Sequence, residues 1–222
     1  MLATNDRIDL PGVILAGGLA RRMGGADKAA TVIAGRSLVG HVLARLAPQC
    51  APLAINANGD PARFARLGLP VLADGIQGYP GPLAGVLAGL DWAADLGADA
   101  VITVAVDTPF FPQDLARRLR AEAGPSGLAL AASVGAQGQV RRHPTFGLWP
   151  VALRHDLRRA VGEGLRKIVL WTDPHRPGCA TWPSLPFDPF FNVNTPEDSV
   201  LAERLHATTV SPQTAGPDRP DR

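Results

Sequence analysis

Short apolar runs and amphipathic stretches alternate along the first half of this chain. Residues 12–16 (GVILA) are apolar, β-branched in the middle and stopped by a glycine pair, which predicts a short buried strand. Residues 31–33 form a brief β-branched run. Ser37 is placed to cap a helix whose apolar stripe is Leu38, Val42, Leu43 and Leu46, and which Pro48 ends. Residues 52–56 read as a second parallel strand, 61–67 as a short helix stopped by Gly68, and 69–72 as a short strand leading to Asp74. The segment 79–85 (YPGPLAG) is a stiff turn feeding a small-residue helix to about Leu96. Residues 100–106 are continuously apolar, the pattern of a strand covered on both faces at the centre of a sheet. A charged helix is expected over 112–123.

Strands and helices alternating at this spacing predict a single-domain α/β fold with a doubly wound, mostly parallel sheet. Ligands of such sheets bind beyond the carboxyl ends of the strands. Gly17, Asn56, Asp74 and Asp107 all follow predicted strands, so they are expected to share a site. The second half is less regular. Strands are expected over 128–134 and 143–149 around a turn at 135–139, then helices over 151–161 and about 165–171. A proline-rich section follows, up to Phe191-Asn192-Val193-Asn194. Thr195 caps a last helix with Pro196 at its first position. Residues 1–11 are expected to be a lead-in, 12–205 the domain, and 206–222 a disordered tail.

Composition narrows the function classes. The chain has 222 residues and is 46% hydrophobic, enough for one substantial domain. With 22 basic and 20 acidic residues it lacks the basic excess of a nucleic-acid binder. Cys50 and Cys179 share no metal-type spacing and are expected as thiols rather than as a disulfide. No leader-like pattern and no membrane-length apolar run is present, so a cytoplasmic protein that is monomeric or weakly oligomeric is expected.

The loop after the first strand carries the candidate chemistry. It holds Gly17, Gly18, Arg21, Arg22, Gly24, Gly25 and Asp27-Lys28. A strand running into a glycine-rich cationic loop presents backbone N–H groups and positive charge to a polyphosphate. The loop is not a Walker A sequence, because Lys28 precedes Ala29, and its glycines miss the dinucleotide fingerprint. With a nucleoside triphosphate there, Gly17 and Gly18 would hold phosphate oxygens, and Arg22 and Lys28 would neutralise charge on the α-phosphoryl and the departing pyrophosphate. Asp107, at the end of the central strand, is the natural Mg²⁺ ligand. Taken singly, Asn56, Asp74, Asn192 and Asn194 also suit turns and caps, and His143 suits a hydrogen-bonded strand.

Leu15-Ala16-Gly17-Gly18, Arg22-Met23-Gly24 and Asp27-Lys28 resemble the first-loop signature of nucleotidyltransferases with a Rossmann-like fold. Asn56-Ala57-Asn58, Asp74, Pro80-Gly81-Pro82-Leu83-Ala84-Gly85, Asp107-Thr108-Pro109, His143-Pro144-Thr145 and Phe191-Asn192-Val193-Asn194-Thr195-Pro196 narrow the resemblance to the molybdenum cofactor guanylyltransferases. The resemblance implies that Leu15, Ala16, Gly17, Gly18, Lys28, Asn56, Asp74 and Asp107 contact GTP, with Mg²⁺ on Asp107. It implies GTP-binding and acceptor-binding halves, 12–125 and 126–205. The acceptor would be molybdenum-molybdopterin, beside His143, Asn192 and Asn194. Cofactor-insertion proteins and apo-molybdoenzymes would be the partners. Leu19 stands where relatives often carry lysine. The rival readings are a CTP-dependent or sugar-phosphate nucleotidyltransferase, and a non-catalytic nucleotide-binding module.

Overall fold

A computed structural model describes residues 8–17, 28–76 and 81–210. The first half contributes β1 (Gly12–Leu15), β2 (Val32–Ile33), β3 (Arg36–Ser37), α1 (Leu38–Leu46), β4 (Leu53–Asn56), β5 (Val71–Leu72), α2 (Pro82–Asp95), β6 (Ala100–Ala105) and α3 (Leu115–Ala121). The second half contributes β7 (Ala129–Val134), β8 (Val140–Pro150), α4 (Arg154–Gly162), α5 (Ile168–Thr172), β9 (Gly178–Pro183) and α6 (Pro196–Val210). β2 and β3 form a small antiparallel ribbon. The other strands make one sheet in the order β5-β4-β1-β6-β8-β7-β9, so both halves build it together. β8 alone among the described strands of this sheet opposes its neighbours.

Alternation along each strand sorts side chains to two helical layers. On β1, Ile14 faces the layer of α1 and α3, where Val42, Leu46, Leu115 and Leu119 pack. Val13 and Leu15 face α2, α4 and α5, against Leu83, Val86, Leu157 and Trp171. The continuous apolar run of β6 follows from cover on both faces. The predicted caps form. Ser37 Oγ accepts from the Gly40 amide at 3.2 Å, and Gly68 ends the 3-10 turn Pro61–Leu67 at φ +63°. Trp149, Trp171 and Trp182 are buried, as packing residues should be.

Several expectations need correction. Residues 8–10 are not part of a frayed lead-in: Ile8 bridges to Cys50 and Leu10 is buried. α2 begins at Pro82 inside the expected turn, because proline suits a first helical turn. α3 begins three residues later than expected, at Leu115. β9 emerges from the proline-rich section. It is an edge strand with Pro183 at its end, where proline costs no ladder hydrogen bond, and Ala180 and Trp182 face inward. α6 continues through Val210, past the expected start of the tail at 206, because Ala202 and Leu205 pack on Ile33, Leu38, Phe110 and Val193. The remainder of that tail, 211–222, lies outside the described residues. No disulfide joins Cys50, which is buried, to Cys179, which is exposed. Among the described residues no helix is long and apolar enough to cross a membrane.

Candidate active site

Four parallel strands, β5, β4, β1 and β6, end on one edge of the sheet. Their last residues therefore line up. Three inter-strand steps separate the end of β5 from the end of β6, about 14 Å in all.

One end of this row is a network of amides around a carboxylate. Asn56, buried at the end of β4, donates from Nδ2 to the Leu72 carbonyl at 3.1 Å and to Asp74 Oδ1 at 2.9 Å. Asn58 donates from Nδ2 to Asp74 Oδ2 at 2.7 Å and accepts from the Asp74 amide at 2.9 Å. Both Asp74 oxygens are thus oriented by amides, each with acceptor capacity left for a ligand. α2 comes very close here. A Cβ on Gly85 would lie 2.3 Å from Asn56 Oδ1 and 3.1 Å from Leu15 Cδ2, so only glycine fits without displacing Asn56. Gly17 also faces Asn56, 3.4 Å from a Cβ to Oδ1, while Leu15 and Ala16 are buried beneath.

The other end is built by residues far apart in sequence. Lys28 Nζ donates to Asp107 Oδ2 at 2.8 Å and to Asn194 Oδ1. Lys28 and Asp107 are about three-quarters buried, with side chains 24% and 22% exposed, so the ion pair is partly screened and contributes at most about 1 kcal/mol to folding. Its use is to hold two charges in place. Thr108 Oγ1 lies 3.1 Å from Asp107 Oδ1 and 2.9 Å from Asn192 Oδ1. The Val193 amide donates to the Asp107 carbonyl at 2.8 Å. The loop carrying the two asparagines is braced by α6. Asp198 Oδ2 accepts from the Asn194 and Thr195 amides at 2.8 and 2.9 Å, and Thr195 Oγ1 accepts from the Asp198 amide at 3.2 Å. This reciprocal pairing is a capping box.

The structure therefore brings together Lys28, Asp107, Asn192 and Asn194 at one end and Asn56 and Asp74 at the other. Gly17, Leu15 and Ala16 lie between them on β1 and just beyond it. Gly18 and Arg22 lie outside the described residues. His143 is not gathered with the others. It stacks on Phe190 at 4.3 Å between centroids, and its Nε2 meets Ser133 Oγ at 2.8 Å. Ser133 Oγ donates to Asp188 Oδ2 at 3.1 Å, so Nε2 is assigned as the N–H that donates to Ser133. Asn58 and Gly85 were not among the expected site residues. The Asn-x-Asn spacing offered the signal for Asn58, since residues two apart on an extended chain share a side.

Burial pushes the His143 imidazole down to about 4 from 6.5, the nearby Asp188 carboxylate pulls the other way, and Arg141 adds to the lowering. Between those two pH values the unfolded chain carries a proton at His143 that the folded chain does not. The stability tied to neutral His143 is complete above about pH 6.5 and is lost as pH falls toward about 4. Denaturant titrations across this range are expected to show a loss of about 3 kcal/mol. His143→Gln should flatten that slope; an equal slope in the variant would assign the loss to other groups.

Asp107 fits a metal that shares its shell with a substrate. Among the described residues no three His, Cys, Asp or Glu side chains cluster as a dedicated metal cage. Mg²⁺ in phosphoryl-transfer sites needs only one or two carboxylates, with phosphates and water supplying the rest. A cation, the Lys28 ammonium, already lies on Oδ2 of this carboxylate.

The family model for a MobA-like NTP transferase domain matches residues 12–175. The molybdenum cofactor guanylyltransferase of Bradyrhizobium sp. (strain ORS 278) is 57% identical over 203 residues, 89% of this chain and 93% of the relative. Two solved structures share the fold. Molybdopterin-guanine dinucleotide biosynthesis protein A from Archaeoglobus fulgidus superposes with a TM-score of 0.65 at 23% identity, covering 90% of this chain and 100% of that one. The 2-C-methyl-D-erythritol 4-phosphate cytidylyltransferase of Thermus thermophilus superposes with a TM-score of 0.64 at 22% identity and the same coverage. The fold is thus shared by a molybdopterin-guanine dinucleotide biosynthesis protein and a cytidylyltransferase, and the match in sequence decides the family. By the extent of that sequence match, the chain belongs to the molybdenum cofactor guanylyltransferases, nucleotidyltransferase enzymes of the MobA-like NTP transferase family.

Proposed function

We propose that this enzyme transfers GMP from GTP to the terminal phosphate of molybdenum-molybdopterin and releases pyrophosphate. The product is the guanine dinucleotide form of the cofactor. A phosphate oxygen of the acceptor attacks the α-phosphorus; the bond from the α-phosphorus to the bridging oxygen breaks, and pyrophosphate leaves with that oxygen. No protein nucleophile is needed. The observation that carries this reading is the spacing of two charged stations on one sheet edge, the oriented Asp74 carboxylate and the Lys28–Asp107–Asn194 cluster.

At the first station, guanine offers N1–H and N2–H donors to a carboxylate acceptor, and Asp74, held by Asn56 and Asn58, is such an acceptor. Cytosine would set its O2 and N3 acceptors against the same charge. At the second station, Lys28 would move from Asp107 toward the triphosphate and neutralise the departing pyrophosphate. Asp107 would hold Mg²⁺, which when bound neutralises phosphate charge. Gly17 would let the backbone approach the phosphates. Asn192 and Asn194 lie on the side from which the acceptor would come.

Calorimetry with Mg²⁺ present, comparing GTP with CTP, ATP and UTP, is the test. Binding of GTP at least about tenfold tighter than the others is expected from one or two base-specific hydrogen bonds to a charged group. Preference for CTP would move the assignment to a cytidylyl transfer.

A further inference from the structure

We propose that Thr108 is a positioning residue whose hydroxyl registers the acceptor-side loop, Asn192 to Asn194, against the Asp107 carboxylate. Its consequence for catalysis rests on the assignment of Asp107 to the triphosphate. The geometry is unusual for a residue in a turn. Turn threonines ordinarily bond to the backbone close by. Thr108 is wholly buried, and its hydroxyl is shared by two side chains, Asp107 Oδ1 at 3.1 Å and Asn192 Oδ1 at 2.9 Å, the second 84 residues away.

A hydroxyl has one proton and two lone pairs, so it cannot donate to two oxygens at once. The conflict disappears if the Asn192 amide is turned, which is permitted because amide oxygen and nitrogen are assigned from their network. Asn192 Nδ2 then donates to Thr108 Oγ1, and Thr108 donates to Asp107 Oδ1. The relay runs one way, from the loop to the carboxylate. Lys28 treats the other oxygen in parallel, since it bonds Asp107 Oδ2 and Asn194 Oδ1 together. Each carboxylate oxygen is thereby tied to a different asparagine of the same loop. The rotation of the carboxylate and the position of the loop become one variable, and Thr108 sets half of it without touching substrate.

Thr108→Val keeps the shape and removes the hydroxyl; Thr108→Ser keeps the hydroxyl. The first readout needs no substrate. Hydrogen exchange at the Val193 amide, which donates to the Asp107 carbonyl, is expected to quicken about fivefold in Thr108→Val, the factor one ordinary hydrogen bond supplies, and to return toward the native rate in Thr108→Ser. The second is kinetic. Thr108→Val should lower kcat for GMP transfer about tenfold, with the affinity for Mg²⁺-GTP changed by less than about twofold, and Thr108→Ser should restore kcat. Asn192→Ala cuts the relay from the loop side, so it serves if Thr108→Val does not fold. It should show the same split, and the double variant should be no slower than either single one. Unchanged exchange and kcat in Thr108→Val would overturn the proposal, and so would a Thr108→Ser as impaired as Thr108→Val. If the native enzyme binds no GTP, the proposed function fails, while the exchange measurement still decides the role of Thr108.

Discussion

Asp107→Ala is expected to leave a folded protein whose Mg²⁺-dependent transfer has fallen at least about 1,000-fold, the scale on which preorganised charge is lost from a reaction centre. The fold should survive for local reasons. The carboxylate lies beyond the end of β6, partly in contact with solvent, so its removal opens no cavity among the apolar side chains. The Val193 amide still has the Asp107 carbonyl, which is main chain. Lys28 loses a screened partner, a cost below about 1 kcal/mol. Activity should fall because the other carboxylate bonded into this cluster, Asp198, is engaged by the Asn194 and Thr195 amides rather than held against Lys28. Pyrophosphate release measured across a Mg²⁺ titration, beside a thermal melt, decides the matter. A variant within tenfold of the native rate at saturating metal would remove Asp107 from the metal assignment. Asp107→Asn, which keeps the shape and loses the charge, should resemble the alanine variant in rate.

Lys28→Ala should act on binding and rate together. The ammonium makes charge-assisted bonds, and each such bond to a phosphate is worth about 1.5–3 kcal/mol, or roughly 10- to 100-fold. Affinity for GTP should fall by that factor. A further loss in kcat is expected because charge on the departing pyrophosphate develops after binding. Lys28 also holds Asn194, so the variant loosens the acceptor side as well. Lys28→Arg should recover only part of this, because a planar guanidinium cannot replace a compact ammonium between two acceptors. If calorimetry and kcat both stay within twofold of native in Lys28→Ala, the triphosphate lies elsewhere.

Much of this arrangement was legible in the chain because local physics wrote it there. β1 and β6 announced themselves as unbroken apolar runs, since cover on two faces leaves no position for a polar residue. Ser37 and Thr195 announced helix starts because few residue types cap a helix. Asp107 and Asn56 stood out as polar residues at the ends of such strands. What stayed hidden depends on contacts between distant segments. Nothing local in 28 or 194 says that one ammonium will join them across 166 residues. β9 was masked by prolines on either side that serve an edge strand without harming it. The continuation of α6 past His206 is set by a small apolar cluster with β2, α1 and Phe110, not by its own weak pattern. His143 suited a hydrogen-bonded strand position from its sequence, but its partners, Ser133 and Phe190, could be seen only once β7 and β8 were paired.

The bond from Lys28 to Asn194 also sets a schedule. A ribosome adds about 5–20 residues each second, so the 166 residues between these partners take roughly 8–33 s to make. Once Asp107 is made, 79 residues into that interval, the nascent chain can pair β1 with β4 and β6 and carries both Lys28 and Asp107, but it lacks the loop that holds the ammonium from the other side. A shorter wait, across 84 residues, separates Thr108 from Asn192. A half-made or prematurely terminated chain therefore carries this edge without the loop that bonds to Lys28 and Thr108. The cluster around Asp107 is complete only when the loop from Asn192 to Asn194, among the last parts of the described chain to be made, closes on Lys28.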